Sequence, residues 1–381
     1  MAVLTAQAIR MIQIGGACSI VLFLFYSLSH FKSGSFGDSF SSNVNIPGAP
    51  VMSFKNVPKP KPANSTLDFQ EILYISMPWR TDRQDALSLL AAISGIKMKL
   101  IPGINPSDMH VKGEPHMLNG QNMTGSPALG CWRAHANAWK YMIDNDIESA
   151  LILEDDIDWD VNIKEIFGLW QWQLKYNNTI RWGRENVKKG WKEDCPYGCD
   201  WDELWMGQCN NKVNKNRLDL HWTYEDPNGP DLDSLHDWSK KEMTQVWNVT
   251  SDNRSGNQMR VTSATYGPLC TMGYAVSRMG AMRMLYNIGG WKGLGSPVDL
   301  EIQYKTNDGL LSGYTMTPPA FTVWRLGGNK DSDNDPNIEK NNNAGTGNEN
   351  GESKGIKHSV RKHLSEVLEK NYWRDMENEI R

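Results

Sequence analysis

The sequence predicts an α/β fold with a mostly parallel central sheet, preceded by a membrane-spanning helix. Three observations carry that expectation. Between positions 71 and 170, short apolar runs alternate with stretches whose apolar residues recur at helical spacing, the pattern of strands joined by crossover helices. One of those runs, Ala150 to Leu153, is apolar throughout, as a strand buried on both faces must be. Upstream, Met11 to Leu28 is an apolar run close to bilayer-spanning length, with Arg10 before it and Lys32 after it.

Taken in order, residues 1–10 read as a cytosolic tail and 11–30 as a signal anchor. This single-pass type II arrangement would leave the body of the chain in the lumen of the endoplasmic reticulum or Golgi. A cleaved signal peptide is the rival reading, and the lack of a clear small-x-small site after Phe25 speaks for the anchor. Asn-x-Ser/Thr sequons at Asn64, Asn122, Asn177, Asn248 and Asn253 agree with a luminal body. Cys18 falls in the anchor. Cys131, Cys195, Cys199, Cys209 and Cys270 then remain for disulfides, an odd set with at least one thiol left over. A zinc site from Cys195, Cys199 and Cys209 is the alternative.

Residues 31–66 are rich in Ser, Gly, Asn and Pro and read as an extended, disordered stem. The folded body spans 67–328. Glu71 to Ser76 is a first strand. Ala86, Leu87, Leu89, Leu90 and Ile93 then fall on one helix, which Gly95 ends. Lys97 to Ile101 is a second strand, and Ala128 to Asp144 a helix with Trp132, Ala136, Trp139 and Ile143 on one face. After the Ala150 strand, a helix from Asn162 carries Ile163, Ile166, Phe167 and Trp170. From Lys175 to Arg260 the chain is polar and Trp-rich without periodicity, either functional loops or a subdomain. A strand follows at Gly267 to Val276, then a helix from Arg278 to Tyr286 capped by Ser277, and a further segment opened by Pro297. Residues 329–357 read as a disordered linker and 358–381 as an amphipathic helix.

The net charge of −4 offers no basic excess, so nucleic acid is not an expected partner. The chemistry concentrates where the Ala150 strand ends. Five carboxylates, Glu154, Asp155, Asp156, Asp158 and Asp160, follow within seven positions. Ligands of open α/β sheets sit beyond the carboxyl ends of strands, and acids this close raise one another's pKa until a cation relieves the repulsion. Hard oxygen ligands suit Mn²⁺ or Mg²⁺, so a metal-diphosphate site is expected with Asp155, Asp156 and Asp158 as ligands. A solvated acidic turn capping the next helix is the other reading. In an extended segment Glu154 and Asp156 share a face while Asp155 points away.

Five separated segments then match one family in order: Ile72 to Arg83, Leu129 to Trp139, Ala150 to Asp160, Asp200 to Cys209, and Leu269 to Gly280. On these the chain resembles glycosyltransferase family 25, which holds lipopolysaccharide-type glycosyltransferases and collagen galactosyltransferases. Ser76 and Met77 stand where the family usually has Asn-Leu, Ala134 replaces a usual Ser, and Gln208 a usual His. The resemblance implies a GT-A-like domain and metal-dependent transfer of a hexose, usually galactose, from a UDP-sugar to an acceptor hydroxyl with inversion. The acceptor would be a glycan or a protein.

Within that expectation Arg80 and Arg83 would bind phosphate or uracil, with Glu154 and Asp155 also at the donor. A surface pair with Asp82 or Asp85 is as good an account of the two arginines. His135 reads as a helix-packing histidine. The general base would be Asp299 or Asp202, with Glu203 a further candidate. Trp201, Trp205 and Trp222 would offer faces to acceptor sugars. A glycoside hydrolase, which also uses paired carboxylates, and an anchored carbohydrate-binding protein without turnover are the competing classes.

Overall fold

The computed structural model describes residues 59–176, 195–215, 218, 220–249, 258–326 and 351–369, all within the unit Val57–Arg381. Along the chain these form β1 (Glu71–Ser76), α1 (Thr81–Ser94), β2 (Lys99–Pro102), α2 (Pro127–Asp144), β3 (Ser149–Glu154), β4 (Ile157–Trp159) and α3 (Ile163–Tyr176). Next come β5 (Glu203–Gly207), β6 (His221–Glu225), α4 (Asp237–Lys241), β7 (Met259–Ala264), β8 (Gly273–Ser277), α5 (Arg278–Asn287) and α6 (Val298–Asn307). The series closes with β9 (Gly313–Thr317), β10 (Phe321–Val323), β11 (Arg325–Leu326), β12 (Gly351–Glu352) and α7 (Val360–Leu368).

Eight strands make one sheet in the order β2-β1-β3-β8-β5-β9-β7-β6. The expectation of a mostly parallel sheet is corrected here. β1 pairs in parallel with β2 and β3, and β5 with β9. The remaining pairings, β3–β8, β5–β8, β6–β7 and β7–β9, are antiparallel. The antiparallel half draws three of its strands, β5, β6 and β7, from the Trp-rich block and its C-terminal edge. These strands are short, and the described residues between them hold only short helical turns, none longer than the five-residue α4 and the π-helical turn after it, so they leave no helix-strand periodicity to read.

The alternation within β3 explains the layers. Leu151 and Leu153 enter one buried cluster and Ala150 and Ile152 another, because successive strand residues face opposite sides. On the first side lie Leu87 and Leu90 of α1 and Ile163, Phe167 and Trp170 of α3. On the second lie Trp132, Trp139 and Met142 of α2, Met284 of α5 and Ile302 of α6. Each such large side chain contributes roughly 1.5–3 kcal/mol when fully buried. Buried tryptophans need a partner for the indole N–H. Trp170 donates to Thr262 Oγ1 at 3.0 Å, Trp159 to Ser94 Oγ at 2.8 Å and Trp139 to the Tyr274 hydroxyl at 2.9 Å. Trp205 and Trp222, read as sugar platforms, are likewise buried in the core, while Trp201, also largely buried, lines a cavity of about 530 Å³.

Local signals hold at the helix ends. Gly95 ends α1 in the left-handed region at φ 61°, and Ser277 Oγ accepts from Gly280 N at 3.0 Å to cap α5. Residues 351–357, from the C-terminal side of the stretch read as linker, pair with β11 and bond β4, and α7 packs against α1. Among the described residues no helix is long and apolar enough to cross a membrane. The expected anchor at 11–30, the stem as far as 58, the last two residues of the expected body (327–328), the linker at 329–350 and the chain end from 370 lie outside the described residues.

Candidate active site

The parallel strands β1, β2 and β3 end on the same edge of the sheet, and a cavity of about 300 Å³ opens there. Ser76 ends β1 and Met77 follows it, Gly103 follows β2, and Glu154, Asp155 and Asp156 lie at and just beyond the end of β3. Arg83 reaches the cavity from α1, and Gly130 and His135 from α2. Gly130 is required by close approach, since a Cβ there would run into the carbonyl oxygen of Ile104. Arg83 pairs with both Asp155 and, at 3.9 Å, Asp156, whereas Glu154 lies beside Thr271 and His135. Asp155 is bound by the Arg83 guanidinium and retains 8% side-chain exposure. Glu154 and Asp156 retain 26% and 22%, so these two carboxylates are open to a ligand.

Electrostatics follow from this crowding. Burial pushes Asp156 upward, the Arg83 charge opposes it, and the neighbouring Glu154 and Asp155 charges add to it; its pKa stands at about 6. Burial also raises Asp155, against the pull of Arg83. For Glu154 burial is outweighed by the nearby His135 ring, the hydrogen bond from Thr271 and the Arg83 charge, and its carboxyl is held below the usual range. Thr271 Oγ1 donates to Glu154 Oε1 at 2.6 Å, and His135 Nε2 stands 3.7 Å from the same oxygen. The other ring nitrogen of His135 lies 2.9 Å from the Tyr274 hydroxyl. His135 is 1% exposed, so it packs the helix as expected and also walls the cavity.

The remaining candidates lie elsewhere. Arg80, next to α1, directs its guanidinium to Asp82 at 2.7 Å, the surface pair the sequence also allowed. Asp158 is fully buried on β4 and turned toward the C-terminal segment. Its Oδ2 accepts from Ser353 Oγ and Ser359 Oγ, both at 2.6 Å, and its Oδ1 from the backbone N–H of Arg361 at 3.3 Å. The fold therefore does not bring Asp158 to the cavity with Asp155 and Asp156. Asp299 opens α6, and its carboxylate accepts from Cys270 N at 3.2 Å and Leu300 N at 2.8 Å. It braces the residue before Thr271 and lines none of the cavities described here. Asp202 precedes β5, which runs in the same direction as β3 because both are antiparallel to β8. A residue at the start of β5 thus lies on the opposite edge from the end of β3. There Asp202 pairs with Arg283 at 2.6 Å beside a separate cavity of about 530 Å³. Glu203 is fully buried against α6, with Thr306 Oγ1 donating to it at 2.6 Å.

Cys195 bonds Cys199, Cys209 bonds Cys270, and Cys131 lies outside both disulfides. The zinc alternative is thereby replaced. Among the described residues no three His, Cys, Asp or Glu side chains converge as a ready metal centre. Sequence reasoning passed over Thr271 and Ser76. A threonine and a serine carry no signal until the fold sets them beside Glu154 and Asp155.

Comparison with known proteins gives a match between residues 69–302 and the family described as glycosyltransferase family 25 (LPS biosynthesis protein). Similar curated proteins include procollagen galactosyltransferase 1-B of Xenopus laevis, 26% identical over 132 residues, which are 32% of this chain and 21% of that protein. Procollagen galactosyltransferase 2 of Homo sapiens is 24% identical over 110 residues, 26% of this chain and 17% of its own. A glycosyltransferase 25 family member of Drosophila melanogaster is 26% identical over 127 residues, 30% of this chain and 21% of its own. The chain thus aligns with about a fifth of the length of these relatives.

Proposed function

The chain belongs to glycosyltransferase family 25, and from that membership we propose that it transfers a hexose, galactose first among the candidates, from a UDP-sugar to an acceptor hydroxyl with inversion. The observation that carries the proposal is the cavity at the end of β3, where two open carboxylates, Glu154 and Asp156, stand beside the guanidinium of Arg83. A planar guanidinium suits a diphosphate. The donor set also fits a hard divalent cation, Mn²⁺ or Mg²⁺. Such ions are commonly bound through one or two carboxylates, with substrate phosphates and water completing the shell. Asp156 would hold the ion with Asp155 beside it, and a cation would favour the ionised form of Asp156 that burial and, after it, the neighbouring Glu154 and Asp155 charges disfavour. A bound cation neutralises charge growing on the departing diphosphate.

The chain's own residues take the other parts. Arg83 orients Asp155 and faces the phosphates. Glu154, ionised at neutral pH and positioned by Thr271 and His135, is the carboxylate we assign to take the acceptor proton. The acceptor oxygen bonds the anomeric carbon as that carbon's bond to the diphosphate oxygen breaks, and UDP leaves with the electron pair. Exposed sequons at Asn64, Asn122 and Asn248, together with two disulfides, support a luminal domain on a type II anchor; Asn177 and Asn253 lie outside the described residues. The test is UDP release by the full chain incubated with UDP-hexoses and Mn²⁺. Release that needs the metal and vanishes in Asp156→Ala is the expected result. No metal-dependent release from any UDP-hexose, as a hydrolase or a lectin would give, overturns the reading.

A further inference from the structure

A sugar nucleotide brings a base as well as a diphosphate, and neither arginine expected at the donor is spare for it. Arg80 pairs with Asp82, and Arg83 is drawn to Asp155 and Asp156. Another side chain of the same cavity is placed for that work. Trp79 lines it together with Met77 and Arg83 and is 55% exposed. Single exposed apolar residues are ordinary on a protein surface. An exposed indole in the wall of the candidate site differs from them, because a ligand entering the cavity meets it. The turn that carries it is fixed. Arg80 N donates to Met77 O at 2.9 Å, closing a β-turn over Met77, Pro78, Trp79 and Arg80, and Gln84 Nε2 donates to the same oxygen at 2.9 Å. Proline at the second position of such a turn is preset for it. A platform held in place beforehand loses little freedom when a ligand binds.

The loop after β2 adds a polar group to the same cavity. Asn105, half-buried in its wall, caps the 3-10 turn Pro106–Asp108. Its Oδ1 accepts from Ser107 N at 3.1 Å and from Ser107 Oγ at 2.8 Å. A backbone N–H can only donate, so that end of the amide is the oxygen and the other end is a donor. What it binds must therefore accept. Ile101, Ile75 and Glu154 lie side by side across β2, β1 and β3. The loop after β2 thus leaves the sheet two strand spacings, roughly 10 Å, from Glu154. The reacting hexose and the diphosphate belong at Glu154, Asp156 and Arg83, so the group lying over β1 and β2 is another part of the donor. A flat ring with carbonyl oxygens on its edge matches an indole face and an amide donor. A cavity of about 300 Å³ is at the small end for ligand sites and favours one ring over two.

We propose that Trp79 and Asn105 hold the base of the sugar nucleotide, the indole stacking on its face and the Asn105 amide donating to a ring carbonyl, and that the pair selects uracil over a purine. The assignment rests on the transferase reading of this cavity. It deepens that reading by giving the donor's base two recognition residues, both in the wall that Glu154, Asp156 and Arg83 share.

Titration calorimetry on the full chain with Mn²⁺ present separates the two ends of the cavity, with UDP, GDP and inorganic pyrophosphate as probes. UDP is expected to bind roughly tenfold more tightly than GDP. Trp79→Ala should weaken UDP by roughly tenfold, the scale of one lost base–aromatic stack, while Trp79→Phe stays within about threefold of the wild type. Asn105→Ser, which keeps a capping oxygen but withdraws the amide, should weaken UDP by about fivefold. Pyrophosphate, which has no base, should bind all three variants as it binds the wild type, and this also reports that they fold. A UDP affinity unmoved in Trp79→Ala, an equal loss for pyrophosphate and UDP, or GDP bound as tightly as UDP overturns the proposal. So does a turnover assay in which Trp79→Ala raises the acceptor KM alone, since the indole then meets the acceptor. Metal-dependent UDP release, with a UDP affinity that ignores both residues, sinks this assignment and leaves the transferase reading. Trp79-dependent UDP binding without release from any UDP-hexose does the reverse, and no UDP binding by the wild type overturns both.

Discussion

Asp158 is the residue where sequence and structure assign different work, so its removal is informative. The carboxylate holds four donors: Ser353 Oγ and Ser359 Oγ at 2.6 Å, Trp159 N at 2.9 Å and Arg361 N at 3.3 Å. In Asp158→Ala the two hydroxyls can rotate to other acceptors, but the two backbone N–H groups are held by β4 and by the start of α7. Leaving a buried donor unsatisfied costs about 1–3 kcal/mol, so the pair costs about 2–6 kcal/mol. Against this, burial raises the carboxyl despite its hydrogen bonds, so part of the cost is offset by removing a disfavoured charge. A net loss of about 3 kcal/mol follows, roughly a hundredfold in the folding equilibrium. Urea denaturation measures it, and limited proteolysis should show cleavage near 351–369 in the variant alone. Asp158→Asn, which preserves shape and one acceptor, should lose about a third as much. At temperatures well below melting, the Mn²⁺ concentration giving half-maximal UDP release should match the wild type. If instead stability stays within 0.5 kcal/mol of the wild type while the Mn²⁺ requirement rises, Asp158 is a ligand and the structural account of β4 is wrong.

Other outcomes follow from the same coordinates. Arg83→Leu removes the nearest counter-charge of Asp155 and Asp156, leaving only the more distant Arg80 and Arg325, and should destabilise by about 3–5 kcal/mol, with the double variant Arg83→Leu/Asp155→Leu recovering most of it in urea titrations; additive losses would refute the pairing. Glu203, raised to about 7 by burial, binds its proton more tightly folded than unfolded. Its contribution is fully present below pH 4.5 and is lost as pH rises to about 7, so Glu203→Gln should gain stability relative to wild type at pH 8 by up to about 3 kcal/mol and gain little at pH 4. Differential scanning calorimetry at the two pH values checks the sign. Cys270→Ser opens a disulfide whose cysteines are 61 residues apart and should cost up to about 4 kcal/mol, read as a lower urea midpoint than that of the wild type under non-reducing conditions.

Much of the βα half could be read from one dimension. β1 begins and ends where its apolar run does, α1 stops at Gly95, and α5 starts after its serine cap, because each depends on residues adjacent in sequence. The acidic turn after β3 was equally legible, since a run buried on both faces must end where the carboxylates begin. The antiparallel half was not. β5, β6 and β7 are specified by partners far along the chain, such as β9 for β5 and for β7, and no local period records that pairing. The same separation hid the uses of Asp202 and Asp299. Their carboxylates are taken by Arg283 and by the backbone of Cys270, residues about eighty and about thirty positions away.

The sequence alone determined that this chain has a parallel βα unit ending in a cluster of acids, and so which edge of the sheet carries the candidate site. Burial and strand alternation are local properties, and they suffice for that. Only the tertiary structure decided which acids face the cavity. Asp158 and its serine partners are separated by about two hundred residues. Arg83 closes tightly on Asp155 and stands 3.9 Å from Asp156, which with Glu154 keeps the more exposed carboxylate, an arrangement set by where α1 places Arg83 beside the end of β3.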